Sequence, residues 1–298
     1  MIIIKPKVEL IKPQGYDLDS IYKMIEIGGR TCYKSDDKIT EDSARKFVEM
    51  IKTNSHLSVF EHGTVYLKME SLTPVIDNEY SIKKKAATKY ENNHFTRVII
   101  KKHTYTTTSY YITTNMRVII ENGWEDDLQY LCAPTEYHEK RYMFRFTTQI
   151  AITRESNRHR VNSISEQSTR YCNYSKDKFD NQISINLPTW LNLGEGEAPA
   201  RLINYCEDIA TKDEYTFWEA LDYWMFANLA CEYSYMNLIR LGWKPQQART
   251  VLPLDTNTEV VYTAFESDWK HFIELRTSTA AHPDIRVLAE SVEEKLKA

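Results

Sequence analysis

A chain of 298 residues can hold one large domain or two modest ones. Its formal net charge of -4 argues against a protein whose main partner is nucleic acid, because such domains carry a basic surplus. The five cysteines (Cys32, Cys132, Cys172, Cys206, Cys231) are odd in number and form no Cys-x-x-Cys pair. They therefore indicate neither a disulfide framework nor a thiolate metal site, and a reducing cytoplasm is expected.

The opening MIIIKPKVEL reads as a strand; its three consecutive isoleucines fall far short of a signal core or a membrane span, so a soluble protein is expected. A helix is predicted from about Leu18 to Arg30, and a second after Thr40, with Ala44, Phe47, Val48 and Ile51 on one face. TVYLKM alternates Val65, Leu67 and Met69, as a half-buried strand does. The polar, aperiodic run 81–94 reads as a loop or insertion. Phe95 to Thr114 is crowded with Thr, Tyr, Val and Ile and predicts two strands. Asn115 can cap a short helix that Gly123 ends.

RYMFRFTTQIAIT alternates from Tyr142 through Phe144, Phe146, Thr148 and Ile150 to Ile152, and predicts the clearest strand of the chain. Arg201 to Leu241 contains no proline or glycine and reads as one long helix or two. KPQQART starts a short helix with Pro245 at a tolerated early position. TEVVYTAF reads as a strand, followed by the helices DWKHFIELR and PDIRVLAESVEEKLKA. The mixed order points to an α+β chain with a mixed antiparallel sheet and long helices.

Chemistry concentrates in RESNRHRVNSISEQSTRYCNYS, residues 154–175, with four arginines, five serines and only two carboxylates. There is no Rossmann fingerprint or P-loop, so side chains must hold any phosphate. Arginine suits that task because its fixed donor fork matches phosphate oxygens. Read as the first turns of a helix, Arg154 and Arg158 share a face while Arg160 points elsewhere; a solvated, ion-paired helix face is the plainer reading. Cys172 lies two residues from Arg170, which is weak ground for activation, and reads as a packing cysteine. His56 and His62 match no zinc spacing, and a structural or ligand-contacting role is expected. Arg249 and Arg276 lie near apolar residues, as ion-pair partners of the core or as buried anion contacts.

RHR at 158–160, then seven residues, then Ser168, within EQSTRY, resembles the signature of the flavin-dependent thymidylate synthases. SHLSVFEH at 55–62 resembles that family's His-x-Ser/Thr-x-Phe-Glu-His segment. ARTVLP at 248–253 is similar to its Ala-Arg-x-x-Leu-Pro, and FIELRTSTAAHPDIR at 272–286 to its Leu-Arg segment and closing helix. RTCYKS at 30–35 is a weaker fifth match. The resemblance implies that family's α/β fold, here one domain over 1–298 with an insertion at about 64–140. It also implies conversion of dUMP to dTMP, with methylenetetrahydrofolate as carbon donor and NADPH reducing a bound FAD. A cytoplasmic homotetramer with active sites at subunit interfaces is implied, with no nucleic-acid or membrane partner and no metal.

By the same resemblance, Ser58, Arg158, His159, Arg160, Glu166 and His271 contact the flavin. Glu155, Arg158, Glu166, Gln167, Ser168, Thr169, Arg170, Arg249 and Arg276 contact the nucleotide. Arg276 would sit beside the pyrimidine, favour the base ionised at N3 and so activate it electrostatically, with no cysteine nucleophile. Ser168, without a nearby base, fits a phosphate ligand better than a nucleophile. Several positions depart from the family pattern. Glu155 stands for a glutamine, and would need Arg154 or Arg158 to neutralise it; Phe265, Glu266 and Ser267 replace an Asn-x-Arg pattern, and His271 an asparagine. Two other classes compete: a nucleic-acid-binding module stacking bases on the tyrosine-rich strands, and a relative that methylates another uridine or has lost activity.

Overall fold

The computed structural model describes residues 1–72, 87–104, 107–197 and 219–298. Its architecture is α+β, but among the described residues the strands form three sheets rather than one. The opening segment is two strands, β1 (Ile2–Ile4) and β2 (Lys7–Ile11), in different sheets. Pro6 lies between them and has no N–H to extend a ladder, so the chain changes sheets there.

The sheet that carries the site has the order β2–β6–β10–β7, with β6 at Arg141–Gln149, β7 at Ser163–Glu166 and β10 at Asn257–Phe265. All its pairs are antiparallel; Val8 and Val260 flank Phe146, and Glu166 pairs with Val260. On one face, Phe144, Phe146, Val260 and Tyr262 pack on Trp269 and Phe272 of α7 (Glu266–Arg276) and on Ile285, Leu288 and Val292 of α8 (Pro283–Lys297). On the other, Met143 and Val261 meet Met24 and Ile27 of α1 (Leu18–Tyr33). Each such buried side chain contributes roughly 1.5–3 kcal/mol. Both faces are covered, yet β6 keeps its alternation: Tyr142, Phe144 and Phe146 lie on the α7–α8 face, while Met143 on the α1 face is flanked by Arg141 and Arg145.

The predicted strand through Ile152 stops at Gln149, and Ile150–Ser156 forms helix α4. The reason lies in the loop before β10: the Ile150 and Ala151 N–H groups donate to Thr256 O (3.1 Å) and Leu254 O (3.2 Å), which turns the chain out of the ladder. Ile152 is buried as a helical residue, so its place in the alternation was coincidental.

Within 64–140, β3 (Thr64–Leu72), β4 (Arg97–Lys102) and β5 (Thr107–Asn115) form a sheet ordered β3–β5–β4. Val65, Leu67 and Met69 share a core with Phe47, Val48 and Ile51 of α2 (Ser43–Thr53) and with Ile21 and Ile25 of α1. Asn115 accepts a hydrogen bond from Val118 N (3.1 Å) to start α3 (Met116–Asn122), and Gly123 ends it at φ 66°. Of the loop predicted at 81–94, residues 81–86 lie outside the described residues.

The third sheet is β8–β1–β9, with β8 at Ser184–Asn186 parallel to β1 and β9 at Gly196–Glu197. The amino terminus of Met1 forms an ion pair (3.0 Å) with Glu232 of α5 (Ala220–Arg240). The long helix expected over 201–241 is described from Ala220; residues 201–218 lie outside the described residues. After α5, Pro245–Ala248 forms the short helix α6. Among the described residues, no helix is long and apolar enough to cross a membrane.

Candidate active site

The arginine-rich stretch runs from the end of α4, through a series of turns, into β7 and the loop behind it. RHR does not open a helix. Asn157 caps α4, and Arg158 N and His159 N close turns onto Glu155 O (3.2 Å) and Ser156 O (3.1 Å). Arg154 is therefore in the last turn and Arg158 beyond it, so the shared helical face of the two is absent. Arg158 and Arg160 are exposed, and neither guanidinium is paired among the described residues.

Arg276 ends α7 and reaches back to α4. Its Nε donates to His159 Nε2 (3.0 Å), its Nη2 donates to Glu155 O (2.8 Å), and its Nη1 lies 3.5 Å from Glu155 Oε2. A guanidinium only donates, so the His159 Nε2 must carry a lone pair. Burial, helped by Arg276 and His271, pushes the His159 pKa down to about 4, which keeps the ring neutral. The His271 ring is 6.2 Å from that of His159, on the exposed side of α7. Glu155 is thus neutralised by Arg276, not by Arg154 or Arg158 as expected. Arg276 is held by an ion pair at the cluster's surface rather than in the core.

A second group is built by β7 and its loop. Ser58, Glu166 and Ser168 line one open cleft of about 560 Å³, with Cys32, Tyr33 and Tyr171. Ser168 N donates to Cys32 O (2.9 Å), which ties the loop to the end of α1. Burial raises the Glu166 pKa, opposed by hydrogen bonds from Thr153 Oγ1 (2.8 Å to Oε1) and Asn157 Nδ2 (3.5 Å to Oε2). Because Thr153, Glu155 and Asn157 all belong to the end of α4, that turn couples the cleft to the Arg276 cluster. Gln167 is buried, with its N–H donated to Glu259 O (2.8 Å).

Arg249 is exposed instead of core-bound, and its Nη1 donates to Thr169 Oγ1 (3.1 Å). Arg170 is exposed, its guanidinium carbon 5.4 Å over the Tyr171 ring, which in turn lies 5.3 Å from that of Tyr33. Cys172 is fully buried, and burial pushes its thiol up to about 11, as suits a packing cysteine.

One residue whose role the sequence left open, His62, ties three segments together. His62 is buried, with Nδ1 2.8 Å from Thr263 Oγ1 and Nε2 2.9 Å from Ser165 Oγ, so it joins the SHLSVFEH segment to β10 and β7. Burial and the nearby Arg141 push its pKa down to about 3. The sign of it in the sequence is Gly28, inside α1: a Cβ there would fall 2.5 Å from His62 Cδ2. The departures at 265–267 are tied into the 64–140 tract. Arg97 of β4 lies with its guanidinium carbon 4.5 Å over Phe265, and Ser267 N donates to Glu139 Oε1 (3.3 Å).

The donor set meets the demands of a phosphate-rich cofactor: exposed, unpaired guanidinium groups on Arg158 and Arg160, with the Ser58 hydroxyl in the neighbouring cleft. Among the described residues, no group of three His, Cys, Asp or Glu side chains is placed to hold a metal ion.

No curated protein matches the chain. The family model Thy1, thymidylate synthase complementing protein, matches residues 76–298, a span that includes α4, the RHR turn, β7, β10 and α7. SHLSVFEH at 55–62 lies ahead of that span. With most of its length matched and the RHR, Ser168 and Arg276 segments inside the match, the chain belongs to the thymidylate synthase complementing protein family, the flavin-dependent thymidylate synthases.

Proposed function

We propose that this protein converts dUMP, methylenetetrahydrofolate and NADPH with a proton into dTMP, tetrahydrofolate and NADP⁺, using FAD. The observation that carries this reading is the grip on Arg276. A side chain with many rotamers is held by a neutral histidine, a backbone carbonyl and a carboxylate, all from the turn that precedes the Glu166–Ser168 cleft. A fixed cation of this kind costs no reorganisation when negative charge develops on a pyrimidine ring, and this is the electrostatic route to activating the base.

The other residues bind and orient. Ser168, Thr169, Arg170 and Arg249 form a donor-rich edge suited to the nucleotide phosphate, with Gln167 fixing the loop from inside. Ser168 Oγ already accepts from Arg170 N (3.3 Å), and among the described residues no base is bonded to it, so a ligand role suits it better than a nucleophilic one. Glu166, whose pKa burial raises, lies between the two groups. Glu155 competes with the substrate for Arg276 and must yield or share it on binding. Arg158, His159, Arg160, Ser58 and His271 would hold FAD. Bound there, reduced FAD supplies the hydride that completes the methyl group.

The same reading takes the chain as one domain of this family's fold over 1–298, elaborated at about 64–140, and as a cytoplasmic homotetramer with shared active sites. The exposed Arg158, Arg160 and Arg170 favour it, since they would find partners across such an interface. Incubation of purified protein with FAD, NADPH, methylenetetrahydrofolate and dUMP should yield dTMP, and Arg276→Ala should not. Turnover that continues without FAD, or binding of single-stranded nucleic acid in place of dUMP, would refute it.

A further inference from the structure

A second cavity, of about 420 Å³, opens beside the amino-terminal half of α1. The cleft described above meets the other end of that helix. On α1, Ser20, Ile21 and Met24 line the cavity and Gly29, Cys32 and Tyr33 line the cleft, with no residue shared; Met24 and Gly29, the nearest of them, are five residues apart, or about 7.5 Å at 1.5 Å per residue. Its volume lies within the range of small-molecule sites, roughly 300–1,000 Å³.

Its chemistry is unusual in one respect. Ile21, Met24 and Met143 give it an apolar floor, and Tyr16 and Tyr66, edge to face at 5.9 Å, give it aromatic walls. Every ionic side chain lining it other than the neutral His62 is cationic: Lys12, Lys140 and Arg141. Arg141 is nine-tenths buried, yet among the described residues its guanidinium donates only to neutral acceptors. Nη1 donates to Glu61 O (3.1 Å) and Thr64 Oγ1 (3.3 Å), and Nη2 to Ser163 Oγ (3.0 Å), while Nε has no partner among the described residues. The nearest carboxylates are engaged elsewhere, Glu61 by Arg117 (2.6 Å) and Asp268 by Arg97 (3.9 Å). A buried cation without a counter-ion is costly, and an incoming anion would relieve that cost. Lys12 and Lys140 are exposed at the rim and unpaired among the described residues, so they add attraction without adding that cost.

We propose that this cavity is a ligand site distinct from the active site, and that it takes a small aromatic carboxylate. The ring would lie between the tyrosines and the methionines, with its carboxylate toward Arg141 and the two lysines. The test is calorimetric titration of the full-length protein, as purified and again with dUMP and FAD present, using 2-naphthoate and its neutral analogue 2-naphthalenemethanol. The acid should bind one site per chain at least about tenfold more tightly than the alcohol, and dUMP and FAD should not displace it. The surface double variant Lys12→Gln/Lys140→Gln, which leaves the core intact, should weaken the acid severalfold and leave the alcohol unchanged. Arg141→Met, scored only if its melting curve shows a folded protein, should abolish the preference for the acid. Absence of binding at millimolar naphthoate, equal affinity for the alcohol, or displacement by dUMP or FAD would each overturn the proposal.

Discussion

Replacing Glu155 by glutamine probes the site where this chain departs most from its family. The carboxylate lies 3.5 Å from Arg276 Nη1, with side chains 38% and 20% exposed. An ion pair this accessible contributes about 0.2–1 kcal/mol to stability, so Glu155→Gln should leave the melting temperature nearly unchanged. The other two anchors of Arg276, the Glu155 carbonyl and His159, survive the substitution because neither involves the carboxylate. Binding should respond in the opposite direction. A unit negative charge roughly 4–8 Å from a nucleotide dianion repels it by roughly 1–2 kcal/mol at a dielectric constant near that of water, about 80. Removing that charge should tighten dUMP by about 5- to 30-fold. Titration calorimetry at low and high salt measures it, and the gain should shrink as salt screens the repulsion. Unchanged or weaker dUMP binding, at both salt concentrations, would refute the assignment of Arg276 and Glu155 to the nucleotide.

Three further outcomes are expected. The His62 pKa falls from 6.5 in the unfolded chain to about 3 in the fold, so protons bind the unfolded state more tightly. Its stabilisation is complete above the unfolded value and is lost as pH falls, by about 2 kcal/mol between pH 7 and pH 5. Burial of Glu166 works the other way, and His159 in the same direction. Urea unfolding at the two pH values should show the loss, and a folded His62→Gln variant should show less of it. Cys172→Ala should cost about 1–2 kcal/mol of stability through lost packing and leave kcat intact; a large fall in kcat would restore the nucleophile reading. Arg249→Ala should raise the KM for dUMP about tenfold with little change in melting temperature, because that side chain is exposed and, among the described residues, bonds only Thr169.

The elements with a single covered face were legible in the sequence. The spacing of Phe47, Val48 and Ile51, the cap at Asn115 and the stop at Gly123 are all local signals, and each matches what the structure builds. What escaped was set by distant partners. Ile150 and Ile152 continue a perfect alternation, yet the carbonyls of Leu254 and Thr256 bend the chain into a helix there. For the same reason RHR lies in turns: no signal within RESNRHR says that the helix α4 has already begun four residues before it, at Ile150. The carboxylate–guanidinium pairing shows the same limit. Arg154 and Arg158 are the sequence neighbours of Glu155, but Arg276, which closes a helix far along the chain, is its partner. His62 was visible as part of a motif, whereas its two hydroxyl partners, on separate strands, could be found only in three dimensions.

The central claim is that the residues around Arg158, His159 and Ser58 hold a flavin that works on a nucleotide bound near Arg276. The visible absorption spectrum of the purified protein tests it most directly. A yellow protein is expected, with flavin bands that bleach on addition of NADPH, return with oxygen, and are lost or weakened in Arg158→Ala. A folded protein that is colourless, and remains so after incubation with FAD, would contradict it.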